Sequence, residues 1–289
     1  MIGSARVGAS VVIVNWNAGT ALARCLESVE CDEVVVVDNA SSDGSAAAVT
    51  GRPGVRLLEA GANLGFAAGA NLGASVAGGD PLVFVNPDAR LRPGALAALV
   101  DALLARPDAA IAGGGLESED GRWQPGAARF APLAHLVLDT TLGRLAARRR
   151  RAPYAVDWVY GTFMAVRRAA FTRLGGFDAA YFLYGEDMDL CDRARALGLC
   201  TLHVPSAIAV HGANLSARRR FGDGREAAVL AGEMRFYARR RGAVDLALFR
   251  AGAACKFGTK ALLAAVTGHA RARRTYGQVV RTCLTGAHA

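Results

Sequence analysis

The chain has 289 residues, 52% of them hydrophobic, enough to bury a large core without external staples. Its six cysteines (Cys25, Cys31, Cys191, Cys200, Cys255, Cys283) form no CxxC pair and no regular framework, which argues against a zinc module or a disulfide scaffold and fits a reducing cytoplasm. The formal charge of +9 belongs to the tail: residues 212–289 carry 15 Lys and Arg against 4 Asp and Glu, whereas residues 1–211 carry 19 against 21.

Such a tail suits nucleic acid, an anionic membrane face or a phosphate-bearing substrate. Nucleic acid is disfavoured, because the tail lacks interleaved aromatics and no groove-reading motif precedes it. The N-terminus runs into a strand pattern without the charged and apolar regions of a signal peptide, so secretion is not expected.

In chain order, residues 10–14 (SVVIV) predict a buried strand and 20–29 the helix after it. Residues 33–37 (EVVVV) predict a second strand, ending in the loop Asp38-Asn39-Ala40-Ser41-Ser42-Asp43-Gly44. A weaker strand at 55–58 precedes a small-residue helix opening at Asn63-Leu64-Gly65-Phe66, able to approach a ligand closely. Residues 81–85 (PLVFV) form a fourth strand with Asn86-Pro87-Asp88 at its carboxyl end, the edge where open α/β sheets bind ligands. This alternation is that of βαβ units on a parallel sheet.

From about residue 116 strands and loops mix, with an arginine run at 148–151. Residues 158–166 (WVYGTFMAV) predict one strand, 185–197 an acid-rich segment, 199–204 and 207–210 two short strands, and 218–224 an arginine-bearing loop. Two helices are predicted at 225–241 and 244–267. The second is apolar, but Arg250, Lys256 and Lys260 interrupt it, so a packed or interfacial helix fits better than a membrane span.

Three acidic features stand at turns: Asp38, Asp88 and Glu186-Asp187-Met188-Asp189. Each alone reads equally well as a turn or helix cap. Together they match the needs of glycosyl transfer: oxygen ligands for a divalent cation at a diphosphate leaving group, a carboxylate to take the acceptor's proton, and a carboxylate to read a nucleotide. Asp88 is the candidate ligand, Asp187 or Glu186 the candidate base, and Asp38 the candidate nucleotide contact.

Taken in order, Val11-Val12-Ile13-Val14-Asn15-Trp16-Asn17, Val36-Val37-Asp38-Asn39-Ala40-Ser41-Ser42-Asp43-Gly44-Ser45, Asn63-Leu64-Gly65-Phe66, Asn86-Pro87-Asp88, Gly161-Thr162-Phe163-Met164 and Gly185-Glu186-Asp187-Met188-Asp189-Leu190-Cys191 resemble glycosyltransferase family 2 over about residues 10–215, and within it the rhamnosyltransferase-type members. The resemblance implies an α/β fold of GT-A type, a nucleotide-binding sandwich with a mostly parallel central sheet, plus a C-terminal helical extension. The parts would be a nucleotide-sugar half at 1–115, an acceptor and catalytic half at 116–224, and basic helices at 225–289.

It further implies an inverting single displacement that moves a sugar, L-rhamnose from dTDP-rhamnose, onto an acceptor hydroxyl of a lipid-linked or cell-envelope glycan. Asp187 would be the base with Glu186 beside it; Asn15, Asp38, Asn63, Gly65, Asn86 and Asp88 would contact the donor; Asp88 and His211 would hold Mg2+ or Mn2+. Asn86 stands where many relatives carry an acid, leaving one carboxylate for the metal. A lone histidine such as His211 is more often structural, and the resemblance is what reverses that for it. Trp158, Tyr160 and Gly161 are candidates for an acceptor platform, the two aromatics being equally at home in a core.

Two other functions compete: a sugar-phosphate nucleotidyltransferase, which lacks its glycine-rich basic loop after the first strand, and a non-catalytic glycan- or nucleotide-binding protein. The expected setting is cytoplasmic, with peripheral attachment to the membrane's inner face through the basic helices. Oligomeric state is open, a homodimer included.

Overall fold

A computed structural model describes residues 8–130, 150–211 and 221–286. Residues 148–149 and 218–220 of the arginine stretches, the segment 212–216 after His211, and His135 and His288 lie outside them.

Four strands build the parallel half of the sheet: β1 (Ser10–Asn15), β2 (Glu33–Asp38), β3 (Val55–Glu59) and β4 (Leu82–Val85). β1 pairs in parallel with β2 and β4, and β2 with β3. Helices α1 (Ala21–Ser28) and α2 (Gly65–Val76) connect them. The run of valines alternates between two cores: Val11, Ile13, Val34 and Val36 face one, Val12, Val14, Val35 and Val37 the other. Burial on both faces is why these strands read as unbroken apolar runs.

The second half is mixed. β5 (Ala89–Leu91), α3 (Ala95–Leu104), β6 (Ala109–Glu117), the short β7 (Trp123–Gln124), β8 (Ala127–Ala128), β9 (Tyr154–Val156) and β10 (Trp158–Val159), then β11 (Phe163–Val166), α4 (Arg168–Leu174), α5 (Glu186–Ala196) and β12 (Cys200–His211) follow in order. The main sheet runs β3-β2-β1-β4-β11-β6-β12-β5. β11 lies antiparallel between β4 and β6, and β12 runs parallel to β6 but antiparallel to β5.

Two expectations change here. The single strand over 158–166 is broken: β10 leaves the main sheet to pair with β8, β11 joins it, and Tyr160-Gly161-Thr162 turn between them. Conversely, the two short strands near 199–210 are one strand, β12, whose register shifts between Val204 and Ile208. Pro205 sits inside that shift, where a residue without an N–H costs no ladder hydrogen bond.

The small-residue helix α2 serves the sheet. A Cβ added at Gly69 would stand 2.9 Å from Val14, and one at Gly73 would collide with Val12, so its glycine face is shaped for contact with β1.

At the C-terminus, α6 (Arg225–Phe236) runs into a π-helical turn over Tyr237–Arg241, followed by α7 (Ala243–Val266) and α8 (Ala270–Thr285). The 225–241 helix is thus α6 plus that turn, and α8 is an addition the sequence reading did not anticipate. Three arginines of the turn are spent inside the molecule: Arg239 pairs with Asp178 at 2.7 Å, Arg240 with Asp192 at 3.2 Å and Arg241 with Asp192 at 2.8 Å. Phe249 of α7 stacks on Tyr237 at 4.6 Å in the core, so the first half of α7 is packed. Among the described residues no helix is long and apolar enough to cross a membrane.

Candidate active site

A cleft of about 510 Å³ opens where the two halves of the sheet meet, and the turn at Tyr160-Gly161-Thr162 forms part of its wall. This turn joins two chemically important ends. The backbone N–H of Asn86, just past β4, donates to the Thr162 carbonyl at 3.0 Å. The Gly161 N–H donates to Asp187 Oδ2 at 3.0 Å.

Glu186 and Asp187 open α5, where the helix dipole favours negative charge, and Arg193 and Arg195 occupy its last turn. Burial opposes the dipole and prevails. Asp187 is raised to about 6, first by desolvation and further by the charge of Glu233, against the hydrogen bonds from the Gly161 and Met188 N–H groups that lower it. Glu186 is raised well above the carboxylate range, again by desolvation and then by the neighbouring Asp187 charge. Two adjacent carboxyls in one water-poor pocket resist double ionisation.

What sets the direction of this pair is the loop before it. Tyr184 has φ +70 and Gly185 φ +94, left-handed values that are costly for tyrosine. The loop is pressed against α6 at a glycine: a Cβ on Gly232 would stand 2.5 Å from the Tyr184 carbonyl oxygen. Farther round, the Asp189 and Asp192 side chains turn away from the cleft to bind Arg193, Arg240 and Arg241.

The second acidic point forms by topology. β5 follows Asp88 directly and pairs with β12 so that Ala89 faces His211. That register sets His211 Nε2 3.3 Å from Asp88 Oδ1, both side chains nearly buried. His211 lines the same cleft as Asn86, Glu186 and Asp187. The Tyr184 phenol, raised chiefly by desolvation, feels the charges of both Glu186 and Asp88. Of the candidate ligand pair it is His211 that lines the cleft of the candidate base, with Asp88 beside it.

No cluster of three or more His, Cys, Asp and Glu groups fit to hold a metal occurs among the described residues. A carboxylate with an imidazole is instead an open donor set, suited to a cation that takes its other ligands from phosphate and water, as Mg2+ and Mn2+ do.

The model of glycosyl transferase family 2 matches residues 10–175. The chain belongs to that family. N-acetylglucosaminyl-diphospho-decaprenol L-rhamnosyltransferase of Mycobacterium tuberculosis is 35% identical over 229 residues, covering 70% of this chain and 75% of the relative. Rhamnosyltransferase WbbL of Escherichia coli is 46% identical over 66 residues, 23% of this chain and 25% of that one. Among solved structures, the mannosyltransferase PcManGT from Pyrobaculum calidifontis in complex with GDP-Man and Mn2+ is similar with a TM-score of 0.60 at 18% identity, over 98% of this chain and 88% of that chain. The fold is GT-A, and the protein is a glycosyltransferase.

In this family 2 glycosyltransferase several expected contacts take other positions. Trp158 is 1% exposed, its ring tilted against Tyr160 at 4.6 Å; it belongs to the core, and of the acceptor candidates only Tyr160 and Gly161 reach the cleft. Asn15 is 0% exposed, so it cannot touch a nucleotide. Its amide donates to Asp38 Oδ1 at 2.7 Å and to Ser45 Oγ at 2.9 Å, orienting the carboxylate from behind. Asn63 accepts from the Gly65 N–H at 3.1 Å, and Gly65 lies so close to the Phe182 carbonyl that no Cβ fits. The Phe66 N–H, donating to the Phe182 carbonyl at 2.8 Å, holds the start of α2 to the loop that leads to Asp187, and the Phe66 side chain supplies cleft wall.

The cleft also draws on residues the motifs did not name: Arg225, Glu226, Glu233, Lys256, Phe257 and Lys260. All six sit on helices with no motif of their own, and only the lysines' i, i+4 spacing carried a signal.

Proposed function

We propose that this glycosyltransferase moves L-rhamnose from dTDP-rhamnose, with inversion, onto a hydroxyl of a lipid-linked glycan of the cell envelope. The observation that carries the mechanism is Asp187: a carboxylate with pKa raised to about 6, fixed by two backbone N–H groups, in a cleft that His211, the neighbour of Asp88, also lines. The choice of sugar and acceptor rests on the mycobacterial relative, whose name gives both.

Asp187 accepts the proton as the acceptor oxygen bonds to the anomeric carbon. The bond from that carbon to the diphosphate oxygen breaks, and its electron pair leaves with the nucleotide. A base near neutrality is well matched to this transfer. Asp88 and His211 would hold Mg2+ or Mn2+, which when bound offsets the charge growing on the diphosphate. Glu186, its carboxyl raised well above the usual range by burial and by the Asp187 charge, lines the cleft beside the base. Asp38, oriented by Asn15, reads the nucleoside. Arg225, close enough to Tyr184 to influence its phenol, adds a cation for phosphate.

The setting we propose is the cytoplasmic surface of a membrane. Residues 243–286 carry seven basic side chains against the single acid Asp245, suited to anionic lipid.

Release of nucleotide diphosphate from a panel of sugar nucleotides, with and without Mn2+, tests this. dTDP-rhamnose with a lipid-linked acceptor should be turned over, and Asp187→Asn should lower that turnover by about 100-fold or more while donor binding persists. Transfer by Asp187→Asn at the parent rate would remove the base.

A further inference from the structure

α7 enters the cleft with Lys256, Phe257 and Lys260. The two lysines are one turn apart on the same face of the helix. Lys260 extends its ammonium over the rings of Phe257 and Tyr276, 5.1 and 5.5 Å from their centroids, and makes no ion pair with a carboxylate among the described residues. A surface-mouth ammonium held over aromatic faces stays positioned yet keeps its N–H donors for another partner. One further turn along that face comes Leu263, 64% exposed, flanked by Leu262 at 68% and Val266 at 79%. Such exposure is unfavourable for three adjacent large apolar side chains in water.

Going outward from Asp187, the protein therefore offers a carboxylate base, then two ammonium groups, then bare hydrocarbon. We propose that Lys256 and Lys260 form the binding site for the diphosphate of a polyprenyl-linked acceptor, with the prenyl chain leaving over Leu263 and Val266. This rests on the lipid-linked acceptor proposed above and assigns its anionic linkage to named residues. Cations on α7 suit it better than the donor diphosphate, because Asp88 and His211 stand on other elements, just before β5 and at the end of β12. Glu226 and Glu233 of α6 share the cleft, and the two ammonium groups offset their charge where a diphosphate would meet this wall. The apolar edge then sets the acceptor's other end in the lipid phase.

The full chain, without metal and in the presence of saturating dTDP, is titrated with farnesyl diphosphate as a soluble probe. Lys256→Gln/Lys260→Gln should weaken binding by about tenfold or more, the loss of charge-assisted hydrogen bonds. Arg273→Gln/Arg274→Gln, an equal charge change outside the cleft, should bind the probe like the parent. Farnesol, without phosphates, should bind the lysine variant and the parent alike.

Equal weakening by both double variants, or none by the lysine variant, overturns the site. dTDP affinity with Mn2+ is measured on the same samples, and a parallel fall there would assign the lysines to the donor, also overturning it. Lysine-dependent probe binding in a protein that transfers no sugar to any lipid-linked acceptor would leave this site standing and remove the proposed function; transfer with lysine-independent binding would do the reverse.

Discussion

Asp187 combines a strong anchor with an unfavourable environment. Its two oxygens accept from Gly161 and Met188 N–H groups, yet burial still lifts it to about 6. As a base it works only when unprotonated, so kcat/KM should be level above that pH and fall about tenfold per unit below it. A profile flat down to pH 5 would mean that another group takes the proton.

The same shift bears on stability. A carboxyl whose folded pKa exceeds its unfolded value binds more protons when folded, so stability declines as the pH rises through the interval between them and stays lower above it. Asp187→Asn should therefore raise Tm at about pH 7.5 and do so far less near pH 4, while abolishing transfer. An unchanged or lowered Tm at neutral pH would contradict a desolvated Asp187. Asp88→Ala should weaken Mn2+-dependent donor binding, and titrations with and without the metal that remain equally separated would reject Asp88 as its ligand.

Between elements, the decisive contact is α6 against the loop before α5. Gly232 gives the Tyr184 carbonyl room, and Tyr184 keeps its left-handed backbone because that loop has nowhere else to go. Gly232→Ala places a methyl 2.5 Å from this oxygen. The variant should lose about 1–3 kcal/mol of stability and lower kcat more than donor affinity, since the base moves while the strand ends do not. Normal kcat with normal Tm would show that the contact is slack. The α5 acids illustrate why composition cannot assign such roles. Glu186 and Asp187 face the cleft, whereas Asp189 and Asp192, one helical turn on, clamp Arg193, Arg240 and Arg241.

Across the whole molecule, the basic surplus splits into two populations. Arg239, Arg240 and Arg241 are consumed in holding α6 and its π-helical turn to the domain, while the α7–α8 hairpin keeps its charge on the surface around exposed Leu262, Leu263 and Val266. Changing these three residues to Gln should reduce sedimentation with anionic vesicles by about tenfold or more, and added salt should reduce it further. Co-sedimentation equal to the parent's would dissociate the hairpin from membranes.

The parallel half of the sheet is legible in residue order alone, because β1, β2 and β4 are buried on both faces and their apolar runs admit little else. It also marked Asp88 and Asp187 as chemical groups, since turns after buried strands and the first turn of a helix are local features. Which of these side chains come together is fixed by long-range packing. Asp88 meets His211 through the β5–β12 register, Asn15 turns inward behind Asp38, Trp158 is buried, and lysines from α7 arrive at a cleft shared with Asn86, Gly161 and Asp187 from far earlier in the chain. Those outcomes depend on long-range pairing and on which face of a helix finds a partner, which no local pattern of residues encodes.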